Sequence, residues 1–316
     1  MTPVEHALAV LAPFATADEP LAPHTTYRLG GPAAVFASPR TVDELREVGR
    51  VAAATSLPLL VIGRGSNLLV ADDGFPGIAV SLASLHGRAD RVDIQDTTVV
   101  AGAAVALPVL SRRLAAAGIT GFEWAVGVPG SIGGAVRMNA GGHGSDMAAS
   151  LLGAHLLDLR TDRCAWVAVE RLGLRFRGSD LIDAQVVLDA SLHLTFGDVV
   201  EAEAKVADIV HWRREHQPGG QNAGSVFVNP VPGELAAAQL IDGLGLRGFR
   251  VGGAFVSDKH ANFIQAGEGA TASDVRAVME HVRAEVLAHT GHNLRSEVRL
   301  VGFADVPTDD RPGVQW

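Results

Sequence analysis

Glycine is concentrated between Gly118 and Gly144, where eight further glycines follow the first without a regular period. Glycine loses more backbone entropy on folding than any other residue, so this density opposes ordinary helices and strands. Chains accept that cost where another backbone or a flat ligand must approach closely. We therefore expect a ligand-binding loop over residues 127–142, with an elaborate loop that binds nothing as the alternative.

A shorter glycine motif, Gly63-Arg64-Gly65, directly follows the apolar run Leu59–Ile62. A bend of this kind exposes several backbone N–H groups that can cradle a pyrophosphate. Leu68 stands where a dinucleotide-binding fingerprint needs its third glycine, so the motif is not of the Rossmann type. Taken alone, it is equally compatible with a plain turn, and Leu29–Pro32 predicts only a turn.

Length, charge and cysteine usage limit the class of protein. The 316 residues suffice for two or three compact units, and the net charge of −9 argues against a nucleic-acid-binding or polybasic membrane surface. A phosphorylated ligand would therefore need local help from backbone N–H groups and a few arginines. The single cysteine, Cys164, excludes an intrachain disulfide and a thiolate metal cluster, and the histidines lack metal-binding spacing.

Targeting and nucleotide-hydrolysis signals are also missing from the sequence. There is no secretory signal, no apolar run long enough to span a bilayer, no triphosphate-binding Gly-Lys-Ser/Thr loop and no esterase elbow. We expect a cytoplasmic protein with no metal, no membrane or nucleic-acid contact and no obligatory protein partner.

Apolar periodicity predicts alternating strands and helices along the chain. Thr41 and Glu44 form a capping-box pattern that opens one helix. A break at residues 217–220, after a helical stretch over 199–215, marks a domain boundary. A long helix is predicted over 273–290, with a core-facing stripe that includes Leu287.

Three segments of the first half are similar to the FAD-binding half of the UDP-N-acetylenolpyruvoylglucosamine reductases, a family of peptidoglycan-precursor enzymes. They are His-Thr-Thr-Tyr-Arg-Leu-Gly-Gly-Pro-Ala from residue 24, Gly-Arg-Gly-Ser-Asn from residue 63, and Gly-Val-Pro-Gly-Ser-Ile-Gly-Gly-Ala-Val-Arg-Met-Asn-Ala-Gly from residue 127. The resemblance spans about residues 20–303, with its motifs in the family's order. It implies an α+β fold, in which an FAD-binding domain of the vanillyl-alcohol-oxidase (PCMH) type, built of two α+β subdomains, precedes a C-terminal α+β substrate-binding domain.

The resemblance also implies domain limits and cofactor contacts. The subdomains are expected at 1–82 and 83–212, with the strand 294–303 joining the first, and the substrate-binding domain at 213–305 precedes a loose tail at 306–316. FAD is expected to bind non-covalently. The residues implied to contact it are Tyr27, Gly63, Arg64, Gly65, Ser66, Asn67, Gly127, Pro129, Gly130, Ser131, Gly133, Gly134, Asn139, Ala140, Gly141 and Arg299.

Reducing an enolpyruvyl ether places negative charge beside its carboxylate, so a site needs a cation or donors for the enolate and a proton donor. By resemblance, Ser225 in Ala-Gly-Ser-Val-Phe-Val-Asn-Pro is the proton donor, and Arg177 holds the carboxylate and stabilises the enolate. Glu297, on a predicted strand over 294–299, matches the family's glutamate, which assists as a neutral acid. Without the resemblance these three are a turn serine, a surface arginine and an exposed strand carboxylate.

The second half also resembles the family's substrate domain, which implies that Asn229, Arg247 and His260 reach the diphosphate and sugar of a UDP-sugar. Two positions depart from the family pattern, since Phe176 replaces a common tyrosine and Val228 a common lysine. The short interval between residues 177 and 225 resembles the subgroup that lacks an extra tyrosine-bearing loop.

The expected activity is NADPH-dependent reduction of UDP-N-acetylglucosamine enolpyruvate to UDP-N-acetylmuramate through bound FAD, with NADPH and the UDP-sugar using one pocket in turn. Two alternatives stay open. One is another FAD-linked oxidase or dehydrogenase that acts on a small alcohol or hydroxy acid. The other is a non-catalytic protein that binds flavin or a UDP-sugar.

Overall fold

The computed structural model describes residues 1–306 and 313–315 and mixes helices with strands throughout, so the α+β expectation is confirmed. The helices are α1 (Pro3–Leu11), α2 (Val42–Thr55), α3 (Leu107–Ala116), α4 (Ile132–Met138), α5 (Val199–His216), α6 (Ala237–Gly243) and α7 (Ala272–Thr290). The strands are β1 (Ala15–Pro20), β2 (Pro32–Ala37), β3 (Leu59–Ile62), β4 (Leu68–Val70), β5 (Phe75–Ser81), β6 (Val92–Gln95), β7 (Thr98–Gly102), β8 (Ile119–Thr120), β9 (Gly141–Gly142), β10 (Ser145–Asp146), β11 (Leu151–Asp158), β12 (Arg163–Ala168), β13 (Gln185–His193), β14 (Thr195–Phe196), β15 (Arg250–Val251), β16 (Ala254–Val256), β17 (Ile264–Ala266) and β18 (Arg299–Val301).

The N-terminal unit is a four-stranded mixed sheet in the order β1-β2-β5-β3, packed against α1 and α2. β1 runs antiparallel to β2, whereas β2, β5 and β3 are mutually parallel. The hydroxyl of Thr41 accepts a hydrogen bond from the Glu44 N–H at 3.1 Å, so the predicted cap of α2 is present. The Glu44 carboxylate accepts from the Arg40 N–H instead of the Thr41 N–H, so the capping box is only half formed.

The middle unit is a five-stranded antiparallel sheet in the order β12-β11-β13-β7-β6. Its apolar side and the helices α3 and α4 share one continuous core with the N-terminal unit. The glycine-rich segment is not a single irregular loop, because α4 forms inside it and buries Ile132, Ala135 and Val136. Tertiary packing overrides the weak helix propensity of Gly133 and Gly134 there.

The C-terminal unit packs α6 and α7 against the antiparallel sheet β15-β16-β17 around a core of its own. Helix α7 has the predicted buried stripe, including Val275, Val278, Val282 and Val286. Leu287 was wrongly included, since 48% of it is exposed. One residue past Val286, the helix turns about 100° and carries Leu287 off the stripe.

Helix α5 lies between these units in sequence and packs against α3 and the 3₁₀ turn Glu123–Gly127. After α7 the chain returns to the N-terminal unit, where β18 pairs with β4 in parallel. Regular strand begins only at Arg299, so the predicted strand over 294–299 is wrong for residues 294–298, where only an isolated bridge between Ser296 and Phe227 forms. The unit boundaries after residues 82 and 212 stay proposals from the sequence.

The predicted loose tail is wrong for residues 313–315. Val314 is buried, and the amide of Gln185 holds its backbone, donating to the Val314 carbonyl at 2.8 Å and accepting from its N–H at 2.9 Å. Residues 307–312 and 316 lie outside the described part of the chain. Among the described helices, none combines the length and apolar character needed to cross a bilayer.

Candidate functional site

Two adjacent hollows form a groove along the glycine loops, with volumes of about 380 Å³ and about 250 Å³. We call them the first and the second hollow. The first lies between β3, the turn after β5 and the start of α4, and the second extends towards the C-terminal unit. Residues common to both walls are Val61, Gly63, Arg64, Ser131, Gly134, Arg137 and Arg299. Hollows of this size accommodate small ligands and parts of cofactors.

The loop Gly63–Asn67 lines this groove with backbone. Among the described residues, none of its five N–H groups donates to an acceptor. Gly65 has φ +59°, and a Cβ there would lie 2.0 Å from the carbonyl oxygen of His24, so only glycine lets this loop pack as it does. A run of unengaged N–H groups beside a groove suits phosphate oxygens. The backbone of this loop therefore fits the pyrophosphate of a dinucleotide cofactor.

The second glycine loop supplies the opposite wall. Gly127, Pro129, Gly130, Ser131, Gly134, Ala140 and Gly141 line the second hollow, and Gly133 lines the first. A Cβ on Gly134 would have a single neighbour within 4 Å, the Ser131 hydroxyl at 3.7 Å, so its missing side chain leaves room in the groove. A flat ligand ring can approach the backbone at this point.

Arg177 lies on the wall of the second hollow at a two-residue turn closed by hydrogen bonds between Arg175 and Gly178. It has φ +55°, a conformation that costs a non-glycine residue about 1–3 kcal/mol and that often marks a functional site. Its guanidinium donates to the Gly141 carbonyl at 2.8 Å, pairs with Glu297 through Nε–Oε1 at 3.1 Å, and lies 4.8 Å above the ring of Phe176. Phe176 therefore supports Arg177 without the hydroxyl that a tyrosine would add.

Glu297 lies on the segment just before β18 and lines the second hollow. Its N–H donates to the Val226 carbonyl at 2.8 Å, and its own carbonyl accepts from the side chain of Asn67 at 2.8 Å. Burial raises the pKa of Glu297, while Arg177 and Arg295 lower it less. The carboxyl therefore keeps its proton to a higher pH than a free glutamate does.

Ser225 lies beside this segment, directly before Val226 and after Gly224, whose φ is +76°. It is partly exposed and lines the second hollow together with Arg177 and Glu297. A guanidinium, a hydroxyl and a carboxyl with a raised pKa thus meet at one wall. Such a set can bind a carboxylate, stabilise an enolate and deliver a proton.

Two of the predicted cofactor contacts, Tyr27 and Asn139, line neither hollow, and their contact with FAD stays a prediction. Tyr27 is fully buried in the core of the C-terminal unit, its hydroxyl donates to the Ile264 carbonyl at 3.1 Å, and burial raises the pKa of that hydroxyl. Asn139 is buried at the end of α4, where its amide contacts Asp146, Ala148 and the Arg175 carbonyl. Asn139 therefore positions the turn that presents Arg177. The other predicted FAD residues line the groove.

The three predicted substrate contacts do not line either hollow. Asn229 accepts from the Ala237 N–H at 3.1 Å and so stabilises the start of α6. Arg247 pairs with Asp242 at 2.5 Å and donates to the Asp258 carbonyl at 2.6 Å. His260 accepts from the Asn262 N–H at 3.2 Å, and burial lowers its pKa. These hydrogen bonds lie within the C-terminal unit, and contact of the three residues with the substrate stays a prediction.

Other residues of the groove were not predicted. Asp183 joins Arg137, at 2.6 Å, to Arg299, so one carboxylate fixes two groove arginines that lie far apart in sequence. Arg213 and Gln217, at the end of α5, also line the second hollow. A basic helix end before a proline is their sole sequence signal, and it is shared by many surface helices.

No cluster of three or more metal-binding side chains occurs within the described ranges. Two family models match the chain: one described as an FAD binding domain over residues 32–163, and one described as the C-terminal domain of UDP-N-acetylenolpyruvoylglucosamine reductase over residues 215–301. The first covers both glycine loops, and the second covers Ser225 and Glu297.

Whole-chain comparisons agree with these matches. The chain is 42% identical over 289 residues to the UDP-N-acetylenolpyruvoylglucosamine reductase of Heliobacterium modesticaldum, with 90% of each chain covered. It is 36% identical to that of Bacillus subtilis, covering 90% of this chain and 93% of the relative. The crystal structure of the Thermus caldophilus reductase superposes with a TM-score of 0.77 at 32% identity, covering 91% of this chain and 98% of the other.

Proposed function

The chain belongs to the family of UDP-N-acetylenolpyruvoylglucosamine reductases, and from this membership we propose that its second hollow is where the substrate is reduced. The protein is an FAD-dependent oxidoreductase that uses NADPH to convert UDP-N-acetylglucosamine enolpyruvate into UDP-N-acetylmuramate, a step of peptidoglycan precursor synthesis. One observation carries the assignment of the site: the Arg177–Glu297 pair, with 3.1 Å between Nε and Oε1, shares a wall with Ser225.

When bound, FAD supplies the hydride, which it receives from NADPH. The backbone N–H groups of Gly63–Asn67 would hold its pyrophosphate, and the open face at Gly134 would leave room for its flat portion. Arg299, fixed by Asp183, would add positive charge to the same groove.

Arg177 would bind the substrate carboxylate and stabilise the charge that develops on it. Its bonds to Gly141 and Glu297 hold the guanidinium in one orientation, so little reorganisation is needed as charge develops. Burial raises the pKa of Glu297 and so favours its neutral form, in which the carboxyl would donate a hydrogen bond to the enolate rather than repel it.

Ser225 would deliver the proton to the carbon that bears the carboxylate, while the hydride goes to the other carbon of the double bond. A serine hydroxyl is a weak acid, so it can serve only where a carbanion develops within hydrogen-bond reach. Its position on the wall shared with Arg177 and Glu297 supports that role. We further infer that NADPH and the UDP-sugar occupy this hollow in turn, and that the enzyme works in the cytoplasm, where both compounds are found.

The substitution Ser225→Ala tests this assignment. We expect NADPH to bleach the yellow absorbance of bound flavin at the wild-type rate. The recovery of that absorbance when the UDP-sugar is added should be slower by about 10²–10⁴-fold, which is typical for loss of a general acid. Stopped-flow absorbance measures the two half-reactions separately. Ser225→Cys, which restores a proton on a side chain of similar size, should recover part of the second rate.

An equal loss of both half-reactions in Ser225→Ala would refute the role of Ser225. A wild-type protein that NADPH bleaches but oxygen alone restores would be an oxidase, and one that NADPH does not bleach would be a binding protein. Restoration by the UDP-sugar is expected only of the reductase.

A further inference from the structure

The hairpin of β9 and β10 contributes Gly141 to the wall of the second hollow and is too short to be stable by itself. Each strand has two residues, and the turn between them, His143-Gly144, has φ +51° and +84°. Both residues of such a turn need positive φ, and asparagine followed by glycine is the preferred pair, so the turn itself gives no reason for an aromatic ring at residue 143. An isolated two-stranded ribbon is marginally stable at best in water, so contacts outside this hairpin must hold it in place.

A contact between aromatic rings joins the tip of this hairpin to helix α5. The rings of His143 and Trp212 meet in a T-shaped arrangement, with their centroids 5.0 Å apart and 87° between their planes. The ring of His216, one helical turn after Trp212, stacks on the same indole with 4.6 Å between centroids and an angle of 11°. Both arrangements are favourable for aromatic pairs. None of the three rings lines either hollow, so any effect of theirs on the site must pass through residues that do.

Residues on both sides of this ring contact line the second hollow. On the hairpin, the carbonyl of Gly141 accepts from the guanidinium of Arg177 at 2.8 Å. On α5, Arg213 directly follows Trp212 and lines the same hollow. Partial burial, and after it the nearby charge of Arg213, lower the pKa of His143, which agrees with the position of the turn beside this part of the wall. The ring contact therefore ties the hairpin part of the wall to the helical part.

The base and the tip of the hairpin are held by different contacts. At the base, the side chain of Asn139 donates to the Asp146 carboxylate at 3.0 Å, and the strands lie against the 3₁₀ turn Glu123–Gly127. For His143 and Gly144, the described part of the chain offers no hydrogen bond or ion pair outside the hairpin. The contact with Trp212 is therefore the specific link that fixes the tip.

We propose that His143 and Trp212 are positioning residues, whose ring contact holds the hairpin against α5 so that the Gly141 carbonyl keeps Arg177 aimed at the substrate carboxylate. The inference rests on the proposed function, which places that carboxylate at Arg177. A displacement of about 1 Å at a reacting group can cost about a hundredfold in rate, so a contact outside the hollow is sufficient to affect the reaction. Reduction of the flavin by NADPH uses no carboxylate at Arg177 and should not depend on this contact.

The substitution His143→Asn tests the inference, because asparagine suits the positive φ of this turn and removes the ring. We expect wild-type flavin content, melting temperature and bleaching by NADPH, whereas the recovery of flavin absorbance with the UDP-sugar should be slower by about tenfold to a hundredfold. Trp212→Leu should show the same loss, and the double variant should lose no more than either single variant, because both substitutions remove one shared contact. Trp212→Phe keeps a ring on the helix and should recover most of the rate. Trp166→Leu, at an exposed tryptophan that lines neither hollow, is the control and should match the wild type.

A binding measurement separates the positioning of Arg177 from a general loosening of the hollow. Titration calorimetry on the FAD-loaded protein compares UDP-N-acetylmuramate, which carries the carboxylate, with UDP-N-acetylglucosamine, which lacks it. In His143→Asn the Kd for the first should rise by about tenfold, as for a weakened charge-assisted hydrogen bond, while the Kd for the second should not change.

Equal rises of both dissociation constants would overturn the inference, as would wild-type recovery of flavin absorbance in both single variants. Losses that add up in the double variant would overturn it too, since the two rings would then act separately. If the UDP-sugar does not restore the flavin absorbance of the wild type, the proposed function itself fails, which separates the two outcomes.

Discussion

Glu297 lies half-buried beside two arginines, and 20% of its side chain is exposed. Burial raises its pKa, so the folded state binds its proton more tightly than the unfolded chain does. The protonated Glu297 carboxyl contributes fully to the stability of the fold at pH values below its pKa in the unfolded chain. This contribution is lost as pH rises through the pKa of Glu297 in the folded protein. In its protonated form the carboxyl can also donate a hydrogen bond during catalysis.

For Glu297→Gln we therefore expect two changes relative to the wild type. In the wild type, the rate at which the UDP-sugar restores flavin absorbance should fall as pH rises. The variant should be slower, and its rate should not show this fall. As pH rises from the ordinary pKa of glutamate through the raised pKa of folded Glu297, the free energy of unfolding of the wild type should fall relative to that of the variant. Stopped-flow profiles and denaturant titrations at each pH measure the two effects.

A variant whose rate keeps the alkaline fall would show that another group titrates in the wild type. Glu297→Asp keeps an ionisable carboxyl on a shorter side chain and is the matched comparison, because it should retain a pH dependence at reduced rate.

At the level of single residues, the sequence was informative where a residue type is tied to chemistry. Arg177, Ser225 and Glu297 come from three distant segments, and motif resemblance alone predicted that they meet. Tyr27 and Asn139 carry polar groups in the same motifs, yet their hydrogen bonds are made within the protein. Sequence cannot distinguish a polar group that serves a ligand from one that serves the fold, since both are held by the same hydrogen-bonding rules.

Among the elements, α4 carries the most specific prediction. Gly134 lies in this helix with its missing side chain towards the groove, so a larger residue would fill the groove without meeting backbone. We expect Gly134→Val to fold but to retain much less FAD than the wild type. Flavin absorbance per mole of purified protein and the melting temperature measure the two properties.

Gly243→Val is the matched control, because Gly243 also lies in a helix and a Cβ there would have nothing within 4 Å. Full retention of flavin by Gly134→Val would show that this part of the groove does not hold the cofactor.

Most elements follow from local patterns, such as the capped helix that begins after Thr41. Helix α4 does not, because a seven-residue segment with two adjacent glycines has poor propensity and is stabilised by burial of Ile132, Ala135 and Val136. Likewise, the pairing of β18 with β4 joins segments more than 200 residues apart, and no local pattern specifies a parallel partner at that distance.

In the whole molecule, Asp72 links the N-terminal unit to the C-terminal unit. Its carboxylate accepts from the N–H groups of Ala272 and Ser273 at 2.8 and 2.9 Å and from the Ser273 hydroxyl at 2.6 Å, all in the first turn of α7. These donors have no partner within their own helix, and the negative charge favours the helix N-terminus.

Asp72→Ala should lower the free energy of unfolding by about 1–2 kcal/mol, the typical cost of losing a helix cap, and lower the melting temperature accordingly. Differential scanning calorimetry measures the change. Asp73→Ala, at the exposed neighbouring position, is the control, and a loss no larger than that of the control would show that the link contributes nothing measurable.

The parallel pairing of β18 with β4 has a consequence for synthesis on the ribosome. Glu297 and Arg299 reach the groove on a segment that is translated long after the glycine loops, which emerge more than 150 residues earlier. A nascent or prematurely terminated chain can therefore fold its early sheets but cannot finish the pocket. The enzyme becomes competent only after the codons for Glu297 and Arg299 have been read.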